Sequence, residues 1–147
     1  MIKEKYLGAY MKTARIFAAL SSAKRRHVGA IIVKDDRIIS IGYNGMPSGW
    51  DNNCEYLQHR IAQESILVTR AEVLHAESNA IAKLAKSTES GDGASMFITC
   101  SPCIECAKMI YQSGIKEVFY GDDYNNTQGL DFLNKCGVKV VKLNDNE

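Results

Sequence analysis

The segments SMFIT, CIECAKMIYQSG, KEVFYG, LDFLNKCG and VKVVKL follow one another through short connections, and this order restricts the fold more than any other feature. Short β-branched and aromatic runs alternate there with segments of helical period, and Gly114 stops the first helix. Such a β-α-β-α-β order predicts parallel strands in one sheet covered by the intervening helices, an α/β layer structure.

The upstream half adds to the sheet. Tyr6, Leu7, Tyr10, Met11, Ala14, Phe17, Ala18 and Leu20 recur on a helical period and predict an amphipathic first helix over residues 4 to 20. VGAIIVK and RIISIGYN, joined by Asp35 and Asp36, read as a β-hairpin with a tight polar turn. NGMPSGWDNN, with its breakers and amides, is a loop. Residues 55 to 70 mix Tyr56, Leu57, Ile61 and Leu67 with charges and are read as a helix. Another helix is expected from Glu72 to about Lys86, with Leu74, Ile81, Leu84 and Ala85 on one face and Gly91 and Gly93 marking its exit.

A length of 147 residues provides for one domain, 1–147, and not for two of ordinary size, and no repeat or linker divides it. The hydrophobic share of 46% and charged share of 24% are those of a soluble globular protein. A formal charge of +1 creates no field that would recommend nucleic acid or an anionic membrane as partner, so any anion must be bound locally. The start MIKEKYLGAY lacks an apolar signal core, and no run approaches the roughly 18 apolar residues of a membrane span, so a cytoplasmic protein is expected.

Three of the five cysteines lie between residues 100 and 106, a crowding that suits a metal site in a reducing compartment better than a disulfide framework. LHAESNA places His75 and Glu77 two positions apart, so on a helix they point in different directions and cannot ligate one ion together. Their work must differ: His75 at a helix mouth can bind a metal while Glu77 reaches over a water at the same site. Cys103 and Cys106 are three apart, a spacing at which helical neighbours converge, and Pro102 fits the start of that helix. A helix N-terminus also favours the thiolate forms that bind metal.

One histidine and two thiolates make three zinc ligands, and three protein ligands with an open fourth position is the catalytic arrangement. Cys100 keeps the ligand set open, because Cys100-x-x-Cys103 repeats the spacing of Cys103-x-x-Cys106. A zinc ion there lowers the pKa of water, and Glu77 can move protons between that water, a ring nitrogen and a leaving amine.

His75-Ala76-Glu77 and Pro102-Cys103-Ile104-Glu105-Cys106 match the H-x-E…P-C-x-x-C signature of zinc nucleobase deaminases. The chain thus resembles the cytidine deaminase-like superfamily, and GYNGMPSG, HAESNAI and SGIKEVFY resemble its deoxycytidylate (dCMP) deaminases. The resemblance spans residues from about 10 to 143 and implies a three-layer α/β/α fold around a central mixed five-stranded sheet. It implies His75, Cys103 and Cys106 as ligands of one catalytic Zn2+ per subunit, and Glu77 as the proton shuttle. For the substrate dCMP it implies Asn44 at the sugar or phosphate, the backbone around Ala76, Ser101 and Pro102 at the pyrimidine, and Tyr120 at the mouth. Conversion of dCMP to dUMP for thymidylate synthesis is the implied reaction.

The same resemblance implies a homo-oligomer, commonly a hexamer, activated by dCTP and inhibited by dTTP, each with Mg2+. These effectors are expected near the glycine-rich loop at Tyr43, Gly45, Met46, Pro47 and Ser48. Lys24, Arg25 and Arg26 stand just before the first strand as phosphate donors, of which Arg26 is favoured, although a basic cluster also suits a solvated helix end. Several relatives carry an arginine after the tyrosine at position 120, where this chain has Gly121, a departure that affects any phosphate contact from that segment.

Some relatives hold a second, structural zinc after the glycine-rich loop, but Cys54 and His59 alone are too few ligands for one here. Cys136 reads as a small core hydrophobe, and Trp50 as a base-stacking or subunit-contact residue. Two other readings remain: a zinc deaminase of another base (guanine, a riboflavin precursor or tRNA adenosine), and a zinc-stabilised nucleotide-binding module without catalysis.

Overall fold

The computed structural model describes residues 2–144. Helix α1 (Glu4–Ala18) precedes a hairpin of β1 (Gly29–Lys34) and β2 (Arg37–Tyr43), and a second hairpin follows, β3 (Glu55–Arg60) and β4 (Gln63–Thr69). Then come α2 (Ala76–Ala85), β5 (Ser95–Cys100), α3 (Ile104–Gln112), β6 (Glu117–Asp122), α4 (Gln128–Lys135) and β7 (Lys139–Lys142). The main sheet has the order β2-β1-β5-β6-β7. β1 runs antiparallel to both β2 and β5, while β5, β6 and β7 are parallel, so the expected mixed five-stranded sheet is present.

Asp35 and Asp36 both adopt the left-handed conformation, φ 51° and 60°, which a two-residue turn between twisted antiparallel strands requires. The central strands are covered on both faces, which explains why β5 is buried at all six of its positions. Alternation divides their side chains between two cores. Ile31, Val33, Phe97 and Phe119 pack with Met11 and Ala14 of α1, and the Phe97 and Phe119 rings stack at 4.7 Å. Ala30, Ile32, Met96, Ile98 and Val118 face Ala76, Ala80 and Leu84 of α2, Ala107 and Ile110 of α3, and Leu133 of α4. These are the three layers of an α/β/α fold.

Two glycines let the helices approach the first hairpin. A Cβ on Gly29 would run into the carbonyl oxygen of Ala14 on α1, and one on Gly42 would meet the carbonyl of Ala76 on α2. Both neighbours are backbone, which cannot swing away as a side chain would. Gly29→Ala is therefore expected to destabilise the protein by about 1–3 kcal/mol, the usual range for overpacking. A lower urea midpoint at unchanged slope is the measurement that checks it.

Residues 55–70 correct the sequence reading. They form the β3–β4 hairpin rather than a helix, pairing Glu55 with Thr69, Tyr56 with Val68 and Leu57 with Leu67. The ribbon stands apart from the main sheet, and most of it is exposed on both faces, so no buried stripe existed for a period to report. Its turn carries no glycine or asparagine; Ala62 takes the left-handed conformation instead, φ 59°. The next helix starts at Ala76 and not at Glu72, because residue 74 is engaged earlier: Leu74 and Gly45 exchange backbone hydrogen bonds of 2.8 and 3.1 Å. Among the described residues, no helix is long and apolar enough to cross a membrane.

Candidate active site

A cavity of about 370 Å³ opens where the ends of β2 and β5 meet the N-termini of α2 and α3. Its walls include Arg25, Arg26, Asn44, Glu55, His75, Glu77, Cys103 and Tyr124. His75 is the N-cap of α2 and Cys103 the N-cap of α3, and neither side chain caps its own helix. Both turn to a shared point. His75 Nδ1 lies 3.3 Å from Cys106 Sγ and 3.6 Å from Cys103 Sγ, and all three donor atoms fall within 4.8 Å of one another.

The electrostatics of this trio follow from shared protons. Cys103 is pulled down to about 3 by the hydrogen bond from Cys106 and by the contact with His75. Cys106 is pushed up, because it supplies that hydrogen bond and is buried. His75 is raised above the ordinary imidazole value, chiefly by its bond to Cys103. Cys100 does not join the cluster, and burial lifts its thiol to about 11. The donors fit a zinc ion: bond lengths of roughly 2.0–2.3 Å at tetrahedral angles put nitrogen and sulfur ligands ~3.5 Å apart. The observed separations need little change.

Glu77 occupies the first turn of α2, 4% exposed, outside the donor cluster yet on the cavity wall. Burial raises its carboxyl above the ordinary carboxylate value. A carboxyl so displaced exchanges protons nearer neutrality than a solvated one.

The other residues singled out by sequence divide into two groups. Arg26, Asn44, Ala76 and Ser101 line the cavity. Asn44 also has structural work: its Nδ2 donates to the Arg26 carbonyl and its Oδ1 accepts from the Val28 N–H, both at 2.8 Å. Ser101 donates its N–H to Asp122 and accepts at Oγ from the Tyr124 N–H. Arg26 reaches the Asp123 carbonyl at 3.4 Å.

Pro102 is buried behind the cavity, its carbonyl packed where any Cβ on Gly129 would fall. Tyr120 does not line the cavity; it is half-buried on β6, and Tyr124 and Asn125, just past that strand, stand at the wall instead. Tyr43, Gly45, Met46, Pro47 and Ser48 likewise lie outside it, although the Gly45–Leu74 bridge ties their loop to the residue before His75. A side chain at position 121 is crowded: a Cβ on Gly121 would lie 2.9 Å from the Thr99 carbonyl oxygen, which is backbone, and would also displace the guanidinium of Arg15, which pairs with Asp122 at 3.6 Å.

Sequence reasoning missed Glu55, Thr69, Tyr124 and Asn125 as wall residues. The rule that ligands sit at the carboxyl ends of parallel strands points to the last two, if applied beyond the strand end rather than at it. No sequence signal marked Glu55 and Thr69, because their hairpin was read as a helix.

Comparison with known proteins agrees with this geometry. A family model described as the cytidine and deoxycytidylate deaminase zinc-binding region matches residues 4–122. The human protein named deoxycytidylate deaminase is 41% identical over 141 residues, covering 91% of this chain and 77% of its own length. The phage T4 protein of the same name is 37% identical over 152 residues, covering 79% of this chain and 78% of its own. The crystal structure of dCMP deaminase from the cyanophage S-TIM5, in complex with dCMP and dUMP, superposes with a TM-score of 0.86 at 45% identity, covering 97% of this chain and all of that one.

Fold and site thus define a zinc-binding hydrolytic deaminase. The chain belongs to the cytidine and deoxycytidylate deaminase family.

Proposed function

We propose that this chain is a single deaminase domain that converts dCMP to dUMP and ammonia. The observation that carries the reading is the buried carboxyl of Glu77, in one cavity with two arginines and with His75 and Cys103, whose donor atoms converge with that of Cys106. A binding module has no need of that carboxyl, whereas a hydrolytic deaminase does. His75, Cys103 and Cys106 hold one zinc ion, which when bound supplies Lewis-acid activation of water. Glu77 accepts a proton from the attacking water and delivers it to the pyrimidine N3. It then takes the remaining proton of the new C4 hydroxyl and passes it to the amine as the C4–N4 bond breaks, releasing ammonia and leaving the C4 carbonyl of dUMP. The backbone at Ala76 and Ser101 orients the ring, Tyr124 and Asn125 bound the sugar side, and Arg25 and Arg26 receive the phosphate.

The dUMP formed serves thymidylate synthesis. The enzyme acts in the cytoplasm as a homo-oligomer, a hexamer by the family's habit, without nucleic acid as substrate. Its effectors are dCTP as activator and dTTP as inhibitor, each with Mg2+, and they bind at the 43–48 loop. What supports that placement is the Gly45–Leu74 bridge, by which a ligand on the loop can act on the His75 helix mouth.

Ultraviolet absorbance of zinc-loaded protein with dCMP, CMP and deoxycytidine, each with and without dCTP or dTTP plus magnesium, tests the reading. We expect fastest conversion of dCMP, raised by dCTP and lowered by dTTP. Conversion indifferent to both triphosphates would remove the regulation and keep the reaction. Absence of conversion with all three substrates would remove the reaction.

A further inference from the structure

Glu55 is 4% exposed, lies on the cavity wall, and has no part in the chemistry described above. Its Oε1 accepts two backbone hydrogen bonds, from the N–H of Lys24 at 2.7 Å and of Arg25 at 3.2 Å. Thr69, its partner in the hairpin register, accepts at Oγ1 from Arg25 Nη1 at 3.1 Å. The hairpin base therefore holds the backbone of the 24–25 turn and the side chain of Arg25 together. On the far side of the turn, Asn44 holds the Arg26 carbonyl and the Val28 N–H. The turn that carries both arginines to the cavity is fastened at each end.

Burying a carboxylate under this turn is unfavourable unless its oxygens are used. Glu55 Oε2 has no hydrogen-bond partner among the described residues, and neither has Nε of the adjacent Arg70. Buried polar atoms without partners are rare in native proteins and collect where function, rather than packing, chooses the residue. Nothing in the apolar cores calls for an acid here, since Glu55 stands on a ribbon outside the main sheet.

We infer that Glu55 is a positioning residue for the phosphate end of the nucleotide: it sets the Lys24–Arg25 backbone so that Arg25 and Arg26 meet the substrate's 5′-phosphate. The inference rests on the nucleotide reading of this cavity. Because Lys24 and Arg25 give their N–H groups to the carboxylate, the turn presents guanidinium groups, not backbone donors, to the anion. Arg25 then shares with Arg26 the role that sequence had favoured for Arg26 alone. A nucleoside, lacking the phosphate, is indifferent to Glu55.

The test compares binding of dUMP and of deoxyuridine to zinc-loaded protein by titration calorimetry, for wild type, Glu55→Ala, Glu55→Gln and Thr69→Val. Misplacing the turn is expected to weaken dUMP about 10- to 100-fold in Glu55→Ala. Deoxyuridine should change less than about twofold, the turn making no contact with it. Gln keeps an oxygen acceptor for the two N–H groups and should stay within about threefold of wild type. Thr69→Val leaves that carboxylate intact and removes only the Arg25 acceptor, so it should weaken dUMP severalfold even if Glu55→Ala fails to fold.

Equal weakening of both ligands by Glu55→Ala, no weakening of dUMP by either Ala or Val, or a Gln variant as poor as Ala overturns the inference. So does a wild type that binds deoxyuridine as tightly as dUMP. Absence of dCMP turnover in wild type, with the binding pattern intact, would instead strike the proposed reaction.

Discussion

Glu77→Gln should bind zinc and nucleotide as the wild type does and deaminate dCMP about 10²–10⁴-fold more slowly, the range assigned to positioned general acid–base groups. The amide matches the carboxyl in size, so the buried first turn of α2 keeps its packing. It cannot carry a proton between water, ring and amine. Zinc content should stay at one per chain, because Glu77 lies outside the His75, Cys103, Cys106 cluster. KM for dCMP should move only severalfold, since the lost interaction belongs to the transition state. Metal analysis beside steady-state kinetics checks all three. A kcat reduced only severalfold would take the proton-transfer role away from Glu77.

The sequence made this site legible because its chemistry is local. His75-x-Glu77 and Cys103-x-x-Cys106 each join an extended N-cap residue to the first turn of its helix, so the groups of each pair are held close together by a short stretch of chain. The parallel strands were legible for a similar reason: β5 and β6 are buried runs whose apolar character is continuous, and glycines or polar turns bound them. The β3–β4 hairpin was not legible. Its strands bury almost nothing, and Ala62 makes its turn without the residue types that announce one.

The miss propagated. With residues 55–70 read as a helix, Glu55 and Thr69 had no route to Arg25, and the basic cluster remained a loosely placed set of charges. Tyr120 fell short for a different reason: the strand-end rule is right about the region, but the wall residue comes four positions later, beyond the end of β6, where the Tyr124 N–H bonds Ser101 Oγ. Packing across sequence distance is what spacing cannot report.

Removing one metal ligand decides between the two thiol pairs that spacing left open. Cys103→Ala should lose zinc by more than the 10–100-fold that outer-shell losses cost, and activity with it. Cys100→Ala should keep the metal, because Cys100, although on the same cavity wall, is not one of the convergent donors, and burial raises its thiol to about 11. Zinc retained in full by Cys103→Ala would hand the ligand role to Cys100.

The pH dependence of metal binding tests the same assignment. In the metal-free trio Cys103 is already the thiolate, Cys106 keeps its proton, and His75 is raised above its ordinary value by that thiolate. Zinc needs both sulfurs deprotonated and the imidazole neutral, so binding must expel the Cys106 proton and any proton on His75. Affinity should therefore climb as pH rises from 6 to 8, and zinc binding in weak buffer should acidify the solution. A chelator competition at the two pH values measures the slope. An affinity flat across this range would mean that Cys106 and His75 do not give up protons to the metal, and would remove them as its ligands.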